Sequence, residues 1–247
     1  MVFFRNMVLI AAVAGGLAGL CMTVAQEFTT VPLILQAETF EGQAGAPAHP
    51  HAHGDAAEVS GHSHGAAAEP ASHAHREDAW APSDGMERTF FTLLANIVTG
   101  VGFALLLVAV SELFGGIADW RQGVSWGLAG FAIFTLAPGL GLPPELPAMP
   151  AAELGARQLW WVGTVVSTAI ALGLMFYSRS VYAVAGAVVL LLLPHLIGAP
   201  QPVSHESPIP EGLHHSFVVA VVLTTLVFWV LLGGLAGLFH ERFLRAA

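Results

Sequence analysis

His49-Pro-His51-Ala-His53, His62-Ser-His64 and His73-Ala-His75 fall within twenty-seven residues and hold seven of the chain's twelve histidines. Neutral imidazole is a common ligand for zinc, nickel, copper and cobalt, and a flexible run of it collects such ions. In an extended chain His-x-His puts both rings on one face, roughly 7 Å apart. That is too far for rigid chelation, and a turn closes the gap. Asp55, Glu58, Glu69, Glu77 and Asp78 accompany these units and add carboxylate oxygens. Mixed imidazole and carboxylate donors suit Co²⁺, Ni²⁺ or Zn²⁺, and the lack of thiolate argues against a dedicated Cu(I) site. The competing explanation is a low-complexity His/Ala/Gly linker with no function. Three separate His-x-His units in the company of acids weigh for metal capture.

Ionisable residues inside apolar runs are the next candidates, because they are costly there. Glu27 ends the first apolar run, Asn96 and Glu112 lie in the second, and His195 follows Pro194 in the fifth. Glu145 stands in Leu142-Pro-Pro-Glu145-Leu-Pro147, just past the third. The candidate metal ligands are therefore His49, His51, His53, His62, His64, His73, His75, His195, Glu27 and Glu145, with His195 the first choice within the membrane. For each of the last three the plain alternative is an interfacial residue or a polar pair holding helices together. His205, His214 and His215 lie in or beside the last outer loop and could add ligands.

Composition removes much other chemistry. The chain has no lysine, so no phosphate-loop, Schiff-base or kinase-type lysine exists. Cys21 is the sole cysteine and lies in an apolar run, which excludes a disulfide framework within one chain. His240-Glu-Arg-Phe-Leu244 and His205-Glu-Ser-Pro-Ile209 both lack the second histidine of a zincin. No enzyme activity and no prosthetic group are expected; the metal is cargo or ligand. Ten acids lie between Glu27 and Arg88 against Arg76 and Arg88, nearly the whole of the formal net charge of −9. Nucleic acid is excluded as a partner and cations are favoured.

The elements that must position these residues are membrane helices. Mean hydropathy is +0.69 and only 10% of residues are charged, too few to cover a soluble domain of this size. Apolar runs at 7–25, 90–113, 124–142, 159–177, 181–199 and 217–239 approach the length needed to cross ~30 Å of hydrocarbon. The fold class predicted is an all-α integral membrane protein of about six transmembrane helices. A long, disordered, His-rich extracytoplasmic loop separates the first two. Three regions follow: 1–41, the first helix with an apolar extracytoplasmic segment; 42–79, the His-rich loop; and 80–247, the remaining five helices. A cleaved signal peptide ending near Thr23-Val-Ala25 is the rival reading of the first run. Ser83 or Asp84 is expected to cap the second helix, with Glu87 in its first turn.

Placing both termini inside leaves Arg5, Arg121, Arg179, Arg242 and Arg245 cytoplasmic and Arg76, Arg88 and Arg157 outside. That sets the protein in the cell (inner) membrane, N-in and C-in, with the loop periplasmic or extracellular. Trp126-Gly-Leu-Ala-Gly130 through Pro138 aligns without gaps to Tyr182-Ala-Val-Ala-Gly186 through Pro194. Gly-Leu-Ala-Gly also occurs at Gly16 and Gly234. Close helix packing is the preferred explanation. The alternative is an inherited transporter repeat, whose prolines would open carbonyls toward a substrate.

Several phrases resemble the CbtA family of predicted cobalt transporter subunits. They are Val31-Pro-Leu-Ile-Leu-Gln-Ala-Glu38, Trp80-Ala-Pro-Ser-Asp-Gly-Met-Glu-Arg-Thr89, and Leu93-Leu-Ala-Asn96 with Gly100-Val-Gly-Phe-Ala-Leu-Leu. More specific are Gly127-Leu-Ala-Gly-Phe131, Leu136-Ala-Pro-Gly-Leu-Gly-Leu-Pro-Pro-Glu-Leu-Pro147, Arg157-Gln-Leu-Trp-Trp161 and Leu193-Pro-His195-Leu-Ile-Gly-Ala-Pro-Gln-Pro202. The resemblance covers nearly the whole chain outside the loop core. It implies a multi-pass permease in cobalt supply for cobalamin synthesis, with a small companion membrane subunit, CbtB, that bears histidines of its own. It carries over no ion-binding residues. The reading is a permease subunit for divalent transition-metal uptake, cobalt first, with nickel or zinc as alternatives. Its partners are a CbtB-like subunit, the bilayer, divalent ions and, as an open alternative, further copies of itself. The competing function is a non-transporting membrane metal-binder that acts as a sensor or as a metal donor to a separate transporter. In either case the loop, lying outside, collects ions rather than committing them.

Overall fold

The computed structural model describes residues 2–44 and 82–244, and those residues are helical with no strand among them. The seven loop histidines and most of the predicted loop lie outside the described residues. Helix α1 (Val2–Phe28) is followed after one residue by α2 (Thr30–Ala44), and then come α3 (Met86–Leu113) and α4 (Trp120–Phe131). A π-helical turn (Ala132–Leu136) leads into a short α5 (Ala137–Gly139), and α6 (Leu154–Tyr177), α7 (Val181–Ile197) and α8 (Glu211–Leu244) complete the chain.

Four helices are long and apolar enough to cross a membrane, over Phe4–Phe28, Met86–Leu113, Leu154–Tyr177 and Glu211–Phe243. The other two expected runs take different forms. Run 124–142 becomes the α4, π turn and α5 series, and run 181–199 becomes a helix of 17 residues. At ~1.5 Å per residue that helix is about 26 Å long, short of ~30 Å of hydrocarbon. The apolar segment after the first run is itself a helix, α2, with Pro32 tolerated in its first turn.

The ends of the elements are set by local chemistry. At α3 the expected cap is reversed. Gly85, at φ 93°, turns the chain in, so the residue at the cap position has no side chain to offer. The Glu87 carboxylate reaches back and accepts from the Ser83 backbone N–H at 3.1 Å and from the Ser83 hydroxyl. Asp84 instead pairs with Arg88 at 2.9 Å. Asp119 caps α4 by accepting from Gln122 N at 2.8 Å, and Glu153 caps α6 by accepting from Gly155 N and Ala156 N at 2.8 and 2.6 Å. Those two N–H groups hold the Glu153 carboxyl below the ordinary carboxylate range.

Pro138 and Pro194 are accommodated differently. A proline has no N–H and its ring crowds the carbonyl four residues back. Before Pro138 the ladder widens, and Ala137 N bonds to Ala132 O across the π turn. In α7 the helix stays α, and the carbonyl deprived by Pro194, that of Leu190, accepts instead from the Ser167 hydroxyl of α6 at 2.5 Å. Trp160 Nε1 donates to Pro194 O at 3.1 Å and ties the same two helices together.

Small residues bring the backbones together. A Cβ built on Gly15 would lie 2.5 Å from Gly100 C and O, and one on Gly19 would lie 2.5 Å from Asn96 O. These contacts lock α1 to α3. In the same way Gly123 of α4 lies against Gly233 O of α8 and Gly127 against Trp229 O, and a Cβ built on Gly237 would lie 2.6 Å from Asp119 O. Each of the three glycine pairs at 15/19, 123/127 and 233/237 is a small-xxx-small face. Around these seams lies the main core: Ile10, Ala14 and Ala18 of α1, Leu107 and Val108 of α3, and Trp229 and Leu232 of α8. A second cluster joins α2, the 140–150 segment and the first turns of α8 through Ala37, Leu146, Ile209, Leu213 and Phe217. The outer faces remain apolar: Leu159, Tyr182 and Leu196 are 76%, 85% and 80% exposed. Such surface suits lipid, not water.

Candidate functional site

Three elements meet at one end of the bundle: the last turn of α1, the first turns of α2 and the start of α3. They enclose a cavity of about 460 Å³ whose lining includes Gln26, Glu27, Thr30, Asp84, Arg88 and Thr89. Glu27 is half-buried there, and its Oε1 accepts from the Thr89 hydroxyl at 2.8 Å. Arg88 donates to Glu38 of α2 at 2.5 Å and to Asp84 at 2.9 Å. Glu27 and Asp84 line the cavity with Arg88, and Glu38 reaches Arg88 from α2, so these charged groups sum to a net negative charge that favours cations. Six waters at ~30 Å³ each take about 180 Å³, so the volume admits a hydrated divalent ion.

Below the cavity the polar lining continues into the bundle. Asn96 Nδ2 donates to Gln26 Oε1 at 2.6 Å and to Thr23 Oγ1 at 2.9 Å. Thr23 in turn donates to Gly19 O at 3.0 Å. This amide and hydroxyl network adjoins the chamber through Gln26. Immediately beneath it the Gly19–Asn96 and Gly15–Gly100 backbone contacts shut the α1–α3 seam. Among the described residues no buried side-chain nitrogen or oxygen lacks a hydrogen-bond partner.

The other expected ligands sit elsewhere at the same end. Glu145 pairs with Arg157 at 2.9 Å, with side chains 26% and 28% exposed. His214, on α8, hydrogen-bonds through Nε2 to Pro144 O at 3.1 Å, beside Glu145. His195 lies in the last turn of α7, its ring edge-on to Trp160 at 5.8 Å. Glu27, Glu145 and His195 are thus held by three separate sets of neighbours. Among the described residues no three His, Cys, Asp or Glu side chains come together as a metal site. His49, His51, His53, His62, His64, His73 and His75 are outside the described residues.

At the opposite end α3 and α8 are joined by a pair that the motif reading passed over. His240 Nε2 and Glu112 Oε1 stand 2.6 Å apart, with side chains only 13% and 23% exposed. Gly116, at φ 77°, covers the pair with no side chain, and Asn6 Nδ2 of α1 donates to Phe243 O nearby. The signal was topological. Glu112 and His240 close two helices that end on one side, and His240 had been tested only against a protease motif. The Arg88–Glu38 pair was hidden for another reason, since it joins residues fifty positions apart across the loop.

A family model described as "Probable cobalt transporter subunit (CbtA)" matches residues 4–241 of the 247. No curated protein and no solved structure matches the chain. With nearly its whole length matched, the chain belongs to this family of transporter subunits, and it is a helical membrane protein.

Proposed function

We propose, from that family membership as premise, that this chain is the permease subunit for uptake of a divalent transition metal, Co²⁺ first. The observation that carries the reading is the chamber that holds Glu27, joined through Gln26 to the Thr23–Gln26–Asn96 network within the bundle. Cations gathered by the His-rich loop pass to Glu27, and the small-residue α1–α3 seam is where the pathway opens inward. His195 and Glu145 serve as further ligands at the same end, and a CbtB-like subunit completes the assembly.

In this reading six segments cross the bilayer, N-in and C-in. The α4, π turn and α5 series covers 20 residues (120–139), ~30 Å at helical rise, and α7 crosses as the shortest span. Contacts support the alternation of direction. Phe114 at the end of α3 stacks on Tyr177 at the end of α6 at 4.3 Å, and His240 of α8 meets Glu112 at that same end. Among the described residues Arg5, Arg121, Arg179 and Arg242 belong to this end and Arg88 and Arg157 to the other, in keeping with the positive-inside bias. A divalent ion entering down 100 mV gains about 4.6 kcal/mol, which favours uptake over export.

Purified protein in liposomes, with Co²⁺ competed by Ni²⁺ and Zn²⁺, tests the reading. Flux that falls with Glu27→Gln is expected. The second reading is a membrane metal-binder without transport, its ligands supplied by the His-rich loop. Metal binding without flux would decide for it. Removing residues 49–75 separates the loop from the bundle: raised half-saturation with near-normal maximal flux makes it a collector, and abolished flux makes it an obligatory site.

A further inference from the structure

Helix α6 packs on the π turn and α5 and contacts α3 little, so a groove remains between them on the lipid-facing side. It consists of two adjoining cavities of about 400 and 320 Å³ that share Val110, Trp126, Ala129, Ile133 and Ala169. The deeper one has only apolar and aromatic side chains, reaching Phe103 and Trp229 at its base. The other opens toward the end of the bundle that holds the N-terminus, where Gln122, Ser125 and Tyr177 form its mouth. Small side chains make the space: Ala129 on α4, Ala169 and Gly173 on α6.

The groove has the length and the charge of a lipid site. On α3 it runs from Phe103 to Phe114, eleven residues apart, which at ~1.5 Å per residue is about 17 Å, close to half of the ~30 Å hydrocarbon layer. One leaflet's acyl chain has that reach. A helix ~10 Å across would sweep about 1,300 Å³ over the same length, more than the two cavities hold together. It could lie on the groove but not enter it. Two arginines lie next to mouth residues along the chain. Arg121 adjoins Gln122, with its guanidinium 5.5 Å from the Trp120 ring centre, and Arg179 follows Tyr177 by two residues in the exposed α6–α7 turn. Asp119, the nearby acid, is engaged in capping α4 through Gln122 N. The guanidinium groups suit a phosphate.

We propose that this groove binds one acyl chain of an anionic phospholipid from the leaflet on the N-terminal side, with its phosphate between Arg121 and Arg179. The lipid wedges α6 against α3 and α4 and fills what the small residues leave open. The proposal stands apart from the transport reading, since it requires only that the chain sit in a bilayer. Native mass spectrometry of the full-length protein, purified from bilayers of phosphatidylglycerol and phosphatidylcholine, provides the test. One phosphatidylglycerol is expected to survive detergent exchange. Ala169→Phe and, separately, Ala129→Leu are expected to lose it while helicity and monodispersity persist. The double variant Arg121→Gln/Arg179→Gln is expected to retain a lipid without preference between the two headgroups. Wild-type protein free of lipid would overturn the proposal, as would lipid retained equally by both filled variants. So would cross-links from position 169 that capture a protein helix or a second copy in place of lipid.

Discussion

Replacing Gly15 with alanine tests whether the α1–α3 seam is held by backbone contact. The new Cβ would lie 2.5 Å from Gly100 C, Gly100 O and Val101 Cα, none of which can swing aside as a side chain tip would. Ordinary carbon contacts need ~3.5–4.0 Å, so the helices must part by about 1 Å locally, and overpacking of that kind costs about 1–3 kcal/mol. Against this, alanine in place of glycine inside a helix gains about 1 kcal/mol. Gly16 supplies the control. It is the next residue in the same helix, and a Cβ there would meet nothing within 4 Å. Both variants share the propensity gain, so their difference isolates the packing cost of about 1–3 kcal/mol. Equilibrium unfolding in mixed micelles, followed by circular dichroism, measures it. Gly16→Ala should match or exceed the wild type and Gly15→Ala should fall below it. Equal stabilities, to within about 0.5 kcal/mol, would show that the seam is not close-packed at this level and refute the reasoning.

Three further outcomes are expected. Ser167→Ala leaves the Leu190 carbonyl without the donor that replaces the missing Pro194 N–H, at a cost of about 0.6–2 kcal/mol in micelle unfolding; Ser167→Thr, which keeps the hydroxyl, should restore most of it. Breaking the Glu112–His240 pair with Glu112→Ala should loosen the C-terminal ends of α3 and α8, seen as faster hydrogen exchange there, while His240→Ala combined with it should add little more. The folded Glu153 carboxyl titrates below its unfolded value, so its capping contribution is present above the ordinary carboxylate range and lost as pH falls through the depressed value. Protection of the Gly155 and Ala156 amides, as exchange relative to the unstructured rate at the same pH, should fall on acidification, and Glu153→Gln should abolish that pH dependence.

The internal echo between the third and fifth apolar runs shows how much similarity of sequence can conceal. Gly130 and Gly186 occupy matching positions, yet a Cβ on Gly130 would run into the Trp229 ring and one on Gly186 meets nothing within 4 Å. Pro138 and Pro194 also match, and the chain widens to a π turn at one and stays α-helical at the other. Close packing explains the recurring Gly-Leu-Ala-Gly at Gly127 and Gly234 through contacts with α8 and α4, respectively. In α7 the carbonyl that a repeat would have offered to a substrate is taken by Ser167.

Composition and hydropathy alone established a lysine-free helical membrane chain, and the phrases from Val31 to Pro202 placed it in its family. Those properties are local, summed residue by residue as the cost of transfer into lipid, and they survive without knowledge of neighbours. Glu27 and Asn96 could likewise be singled out as polar residues in apolar runs. Folding decided what they face: Glu27 bonds to Thr89, Asn96 bridges Thr23 and Gln26, Arg88 reaches Glu38, and His240 closes on Glu112. Helix rotation and register set these pairings. In a bilayer the lipid is as apolar as the protein interior, so hydropathy cannot say which face turns inward. That choice falls to the few glycines where backbones touch, and in the sequence only the four-residue spacing to Gly19 sets Gly15 apart from Gly16.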